Sequence, residues 1–180
     1  FDGIDRELSA WTDTSALAAV NRAAGEPAPV AVPPDFAAVL RAALAVCEES
    51  DGAFNPLIGP VMRAWGFNGA AARPAPPAPD ELRAAAALAD WHGVSLTTNA
   101  SGANVRLPLA GMRLDLGAIA KGYAVDLAWR RLTAAGHTNL LIDLGGNLRT
   151  IGEASPGRGG WRTGVRDPFA DGLLAVFLLR

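Results

Sequence analysis

Lys121 is the only lysine among sixteen basic residues; the other fifteen are arginine. It stands in RLDLGAIAKGYAVD, Arg113 to Asp126, between Ala120 and Gly122. The stretch reads as a strand that passes through a glycine-containing turn into a helix. Such a junction points unpaired backbone N–H groups and the positive end of the helix dipole at one place, which suits an anion. A lysine in the first helical turn opposes that dipole by ~0.3–1 kcal/mol, and a phosphate would offset the cost. Asp115, six residues earlier, and Asp126, five later, are alternative partners for the ammonium. A chance surface lysine in a chain of biased codon usage is the plainer reading, and these residues alone leave both open. The spacing of glycine and Ser/Thr around Lys121 is not that of a P-loop.

Three other stretches carry chemistry-bearing residues. LIDLGGNLRTIG sets Gly145 and Gly146 after a strand, where a tight turn is the commoner use of paired glycines and a ligand cradle the rarer one. Asp143 lies in that strand, which reads as buried, so its carboxylate needs a partner or a site at the strand end. DGAFNPLIGPVMRAWGF gathers Phe54, Trp65 and Phe67 in one loop shaped by Gly and Pro. The aromatics there form either a small core that pins the loop or a wall on which a flat ring stacks. Trp11, in ELSAWTD, falls just past a helix end and is placed to face such a ring. Cys47 lies in an apolar helical run and reads as a buried structural thiol.

The elements that must position these residues follow from the apolar periodicity. A helix opens the chain, with Phe1, Ile4 and Leu8 on one face. Thr12 or Thr14 is the expected N-cap of a second, short helix ending at Gly25. EPAPVAVPP reads as an extended linker. Asp35 then caps a helix from Phe36 to about Glu49, with Phe36, Val39, Leu40, Ala43 and Val46 as its buried face. Residues 50–69 read as a shaped loop with one short helical turn, and AAARPAPPAP as a flexible Pro/Ala segment. Asp80 caps the next helix. From Trp91 onward GVSLTTN, NVRLPLA and MRLDLG alternate as strands. A helix over 118–135, the LLIDLGGNLRTIG hairpin, and strands in WRTGVRDP and LLAVFLLR complete the chain. The order of elements gives an α+β class, helices packed on a largely antiparallel sheet, in one partial domain over 1–180. Residues 1–90 are mainly helical and 91–180 mainly strands. A chain that opens in a helix and stops in an apolar strand reads as incomplete at both ends.

Composition bounds the function. The chain has 180 residues, and a length of this order buries ~70% of the surface exposed by the unfolded chain. A net charge of -2 argues against a general nucleic-acid surface, which needs clustered excess Lys and Arg. No apolar run reaches the ~18–20 residues of a membrane span. One cysteine excludes an internal disulfide, and two histidines are too few for a histidine-based metal site.

Together, ELSAWTDTSALAAVN, SDGAFNPLIGPVMRAWGF, RLDLGAIAKGYAVD, NLLIDLGGNLRTIG and WRTGVRDP resemble, in order and rough spacing, the ApbE family of FAD:protein FMN transferases. The resemblance covers nearly the whole chain. It implies an enzyme that binds FAD and Mg²⁺ and moves FMN from FAD to a threonine hydroxyl of a target protein, such as a redox-pump subunit, with release of AMP. By matching motif, Trp11 stands where the family keeps an aromatic beside the flavin. Ala53, Phe54, Asn55, Asp115 and Lys121 resemble FAD-contacting positions, and the Ala118 carbonyl resembles a metal ligand. The family commonly has Asp at the place of Asn55. Its opening strand, and the Asp and Thr four residues apart that complete its metal site, have no counterpart between Phe1 and Arg180. The resemblance further implies an extracytoplasmic, membrane-anchored bacterial protein. Mg²⁺-dependent hydrolysis of FAD to FMN and AMP, and a non-catalytic flavin-binding remnant, are the alternatives it leaves.

Overall fold

The computed structural model describes residues 2–67, 75–99 and 102–180. Part of the Pro/Ala segment and the end of the 50–69 loop therefore lie outside the described residues, as does Phe1. The chain divides into two compact units, residues 1–120 and 121–180.

In the first unit, α1 (Asp2–Leu8) and α2 (Ala16–Arg22) precede β1 (Val30–Val32), α3 (Pro34–Glu49), α4 (Gly59–Ala64), α5 (Pro79–Ala87), β2 (Ser95–Asn99) and β3 (Gly102–Arg106). The strands form an antiparallel sheet in the order β1-β3-β2. The segment expected to be a linker thus supplies an edge strand: Val30 to Val32 pair with Val105 to Ala103. Proline confines a strand to an edge or a strand end, and the prolines flanking β1 fit that place. The core is built from Leu17, Val20, Phe36, Val39, Leu40, Leu57, Val105, Leu107, Met112, Leu114 and Leu116, all essentially sealed from solvent.

The helix caps differ from expectation. Ser15, not Thr12 or Thr14, caps α2, its Oγ accepting from the Ala18 N–H at 2.9 Å. Prolines occupy the first positions of α3 and α5, after Pro33 and Ala78, and neither helix has a capping side chain at its N-cap. Proline at the first turn sets φ for the helix and lacks an N–H that would be orphaned there anyway. Asp35 and Asp80 stand in those first turns, complementing the dipole instead of capping. In α3 the open donor of Phe36 is met from another helix, by the Glu7 carboxylate of α1. The buried face of α3 runs through Cys47, not Val46, which is exposed. At 3.6 residues per turn Leu40, Ala43 and Cys47 lie within about 40° of Phe36 around the helix, whereas Val46 lies about 80° away, at the edge of the buried stripe.

Met112 to Leu116 was expected to be a strand and alternates as one, with Met112, Leu114 and Leu116 buried. It joins no ladder among the described residues. α6 (Gly117–Ala134) begins at the end of this segment and runs into the second unit. There β4 (Leu140–Leu144) pairs antiparallel with β5 (Asn147–Ile151), and β6 (Trp161–Arg166) with β7 (Leu173–Leu179). Gly145 and Gly146 are the two-residue turn of the first hairpin, both at positive φ, a conformation glycine adopts without strain. β4 is half-exposed, not buried, and Asp143 faces solvent, its Oδ1 accepting from the Gly146 N–H at 2.8 Å. The need for a partner that burial implied is met inside the turn. No helix among the described residues is long and apolar enough to cross a membrane.

Candidate functional site

Apart from Ala118, which lies in the first turn of α6, each expected site residue of the first unit sits on irregular backbone that side chains hold in place. Trp11 lies in the α1–α2 connection and is 78% exposed. The connection is pinned from below by Ser15, whose Oγ donates to the Ser9 carbonyl at 2.7 Å while capping α2. Ser9 Oγ in turn accepts from the Trp11 N–H at 3.2 Å. A large ring is therefore presented to solvent on a fixed loop, which suits stacking on a planar ligand.

The second piece is the loop after α3. Asp51 at φ +51° and Gly52 at φ +77° reverse the chain, and the Gly52 N–H closes the helix on the Cys47 carbonyl at 2.8 Å. Ser50 Oγ accepts from the Phe54 N–H at 3.0 Å. Ala53 is exposed and Phe54 half-buried. Asn55 is engaged at both ends of its amide: Nδ2 donates to the Ala89 carbonyl and Oδ1 accepts from the Leu57 N–H, both at 2.8 Å. An aspartate, common here in the family, would lose the first of these, so the amide is explained by the local fold. Trp65 and Phe67 stack with centroids 6.5 Å apart, yet both are exposed. They are not the small core that pins the loop; Pro56, Leu57, Gly59, Pro60 and Ala64 are.

The third piece is the strand-to-helix junction. The Asp115 N–H donates to the Pro56 carbonyl at 2.8 Å, which ties the junction directly to the GAFNP loop. Gly59 lets the two run close: a Cβ there would stand 2.6 Å from the Arg113 carbonyl oxygen. Asn21 clamps the same segment through both backbone groups of Leu114. The Asp115 carboxylate, half-buried, accepts from the Gly117 N–H at 2.9 Å and so caps α6. Ala118 is exposed in the first turn. The structure thus brings Asp115 together with the loop bearing Ala53, Phe54 and Asn55.

Lys121 belongs to the second unit and is exposed. It is the fifth residue of α6, past the first turn in which it was expected, so the helix dipole opposes it less than the sequence implied. Asp126 is taken: its Oδ1 lies 2.5 Å from Arg149 Nη1, and that guanidinium also covers the Trp129 ring at 3.9 Å. Sequence reasoning missed Asn21 and Gly59. Asn21 closes the quoted ELSAWTDTSALAAVN block, yet nothing in its spacing predicts a partner 93 residues away.

Among the described residues no three His, Cys, Asp or Glu side chains converge as a metal group. Mg²⁺ takes six oxygens in near-octahedral array, and the Asp115 carboxylate with the Ala118 carbonyl would supply a minority of them. The described residues do not by themselves fit the ion.

The architecture is one found in solved flavin transferases. The ApbE protein of Thermotoga maritima superposes with a TM-score of 0.86 at 28% identity, covering 98% of this chain and 56% of that one. The flavin transferase ApbE of Vibrio cholerae gives 0.83 at 27%, covering 93% and 52%. In sequence, the FAD:protein FMN transferase of Treponema pallidum is 44% identical over 177 residues, 92% of this chain and 48% of that protein. The Rhodobacter capsulatus enzyme of the same name is 33% identical over 183 residues, 100% of this chain and 33% of that protein. The ApbE family model matches residues 1–180, and the chain belongs to that family. It spans half or less of the length of these curated relatives.

Proposed function

We propose that this chain carries the flavin-binding part of an FAD:protein FMN transferase. The hydrogen bond from the Asp115 N–H to the Pro56 carbonyl carries the reading, because it joins two of the most specific family-like blocks into one braced surface. On that surface Trp11 would stack on the isoalloxazine, and Ala53, Phe54, Asn55 and Asp115 would contact FAD. Lys121 would draw negative charge from the pyrophosphate. Attack on a pyrophosphate depends on charge neutralisation and in-line positioning more than on covalent participation by the protein. The threonine Oγ of the target protein bonds to the FMN phosphorus while the bond from that phosphorus to the bridging oxygen breaks. AMP leaves with the bridging oxygen and its electron pair, and the threonine proton is released.

Dependence on Mg²⁺ belongs to the same proposal by family resemblance, and no step is routed through the ion here. Quenching of FAD fluorescence by the protein, with and without Mg²⁺, tests binding. Appearance of flavin on a threonine-bearing acceptor tests transfer, and no quenching at micromolar FAD would overturn the reading. AMP release without an acceptor would instead favour hydrolysis. Membrane tethering outside the cytoplasm is proposed on resemblance alone; fractionation of the producing cell checks it.

A further inference from the structure

A cavity of about 380 Å³ opens in the first unit beside the residues just described. Its wall includes Ala10 and Thr12, the two neighbours of Trp11, together with Asp13, Asn21, Arg22 and Arg113. Arg113 stands two residues before Asp115, on the segment that Asn21 clamps.

The charges in this cavity are not balanced by one another. Arg22 Nη1 donates to the Asp13 backbone carbonyl at 2.6 Å, not to the Asp13 carboxylate. Arg113 is half-buried and makes no hydrogen bond or ion pair among the described residues. The Asp13 carboxylate, exposed, likewise pairs with neither arginine. A guanidinium offers five N–H donors in a rigid fork matched to phosphate and carboxylate, and partial burial without a partner costs free energy. Two arginines and one carboxylate leave the wall with an excess positive charge, and the Thr12 hydroxyl and the Asn21 amide add polar groups around it.

We propose that Arg22 and Arg113 form a phosphate-type oxyanion subsite in this cavity. It rests on the flavin-transferase reading only for the source of the oxyanion, which is either a phosphate of the dinucleotide or a separate inorganic phosphate species. Arg113 supplies the unpaired fork. Arg22, held by Asp13, supplies a second donor from a fixed position.

Inorganic pyrophosphate, titrated calorimetrically into the protein in EDTA, is the probe, so that no metal bridges the contact. Binding should weaken with added salt. Arg113→Gln should weaken it about tenfold or more, the range for losing a charge-assisted contact. Arg22→Gln should act in the same direction, while Arg83→Gln, which removes an equal charge elsewhere, should leave it unchanged. A thermal melt of each variant separates unfolding from lost binding. If Arg113→Gln also weakens FAD binding, the oxyanion comes from the dinucleotide. If FAD binding is unchanged while pyrophosphate binding falls, the subsite serves a separate phosphate species. Failure of the wild-type protein to bind pyrophosphate, or equal binding by the wild type and both arginine variants, overturns the subsite. Wild-type protein that binds pyrophosphate but not FAD would sink the flavin reading and keep the subsite.

Discussion

Asn21 and Leu114, 93 residues apart, are joined by two hydrogen bonds: the Leu114 N–H donates to Asn21 Oδ1 at 2.7 Å and Asn21 Nδ2 donates to the Leu114 carbonyl at 3.0 Å. One side-chain amide thereby does for this extended segment what a neighbouring strand does in a sheet. The Leu114 side chain is fully buried, so water is a poor substitute partner for its backbone groups. Asn21→Ala should lower unfolding free energy by roughly 2–4 kcal/mol, two buried backbone groups losing their partners. Asn21→Asp should also destabilise, because it keeps the acceptor but sets a carboxylate oxygen against the Leu114 carbonyl. Urea denaturation of the three proteins measures both; equal midpoints would refute the clamp.

Asn55 makes a second long-range brace, from the GAFNP loop to the Ala89 carbonyl. Asn55→Asp preserves the acceptor for the Leu57 N–H and loses the donor to Ala89. The expected loss is about 1–3 kcal/mol of stability, with a rise in hydrogen exchange of the loop amides. If this variant were as stable as wild type and bound FAD more tightly, the residue would be read as a ligand contact adapted from the family aspartate.

What could be read from the sequence divides by range of interaction. The helices α3, α5 and α6, the Gly145–Gly146 turn and the strands β6 and β7 are written in local periodicity and turn chemistry, and they stand where expected; that β6 and β7 pair with each other is seen only in the fold. Asp35 and Asp80 do not cap α3 and α5 because proline at the first helical position displaces the cap to the residue before it; for α2 the cap falls one residue past Thr14, on Ser15. Val30–Val32 is a strand only because β3 is there to pair with it, and three residues between prolines carry no such signal. Met112–Leu116 has the alternation of a strand, but its partners are an asparagine side chain and the Pro56 carbonyl, neither of which periodicity can report. The candidate site was legible as motif blocks; that the Asp115 and Pro56 blocks touch is visible only in the fold.

Glu7 gives a pH dependence of defined sign. Its carboxyl titrates above the usual carboxylate range, first because burial strips its solvent and second because Asp35 repels its charge, against the stabilising Phe36 N–H and Arg6. One of its oxygens, Oε2, is buried without a hydrogen-bond partner among the described residues. The folded state therefore holds the Glu7 proton to higher pH than the unfolded chain does. Between the ordinary value of 4.5 and the raised folded one, the folded state binds more protons, so this residue's contribution to stability falls as pH rises. Glu7→Gln keeps an acceptor for Phe36 and removes the charge. Its stability relative to wild type should be greater at neutral pH than at pH about 4, near the carboxylate's ordinary range. A constant difference across pH would show that Glu7 titrates alike in both states.

Lys121 is the sharpest test of the proposed chemistry, because charge and shape can be separated there. Lys121→Ala removes the ammonium from an exposed helical position, where a surface contact of the ammonium is worth little and alanine is the best helix former, so stability should change by no more than about 1 kcal/mol. FAD affinity should nevertheless fall by about tenfold or more if the ammonium meets a phosphate oxygen, as expected for a charge-assisted contact. Lys121→Arg keeps the charge but exchanges a compact ammonium for a broad planar fork. On a close-fitting phosphate it should restore only part of the affinity, and it should weaken FMN transfer to an acceptor more than FAD binding, since in-line geometry is the stricter requirement. Fluorescence titration and acceptor labelling, run side by side on the three proteins, read these effects. Unchanged affinity in Lys121→Ala would return the lone lysine to the status of a surface charge.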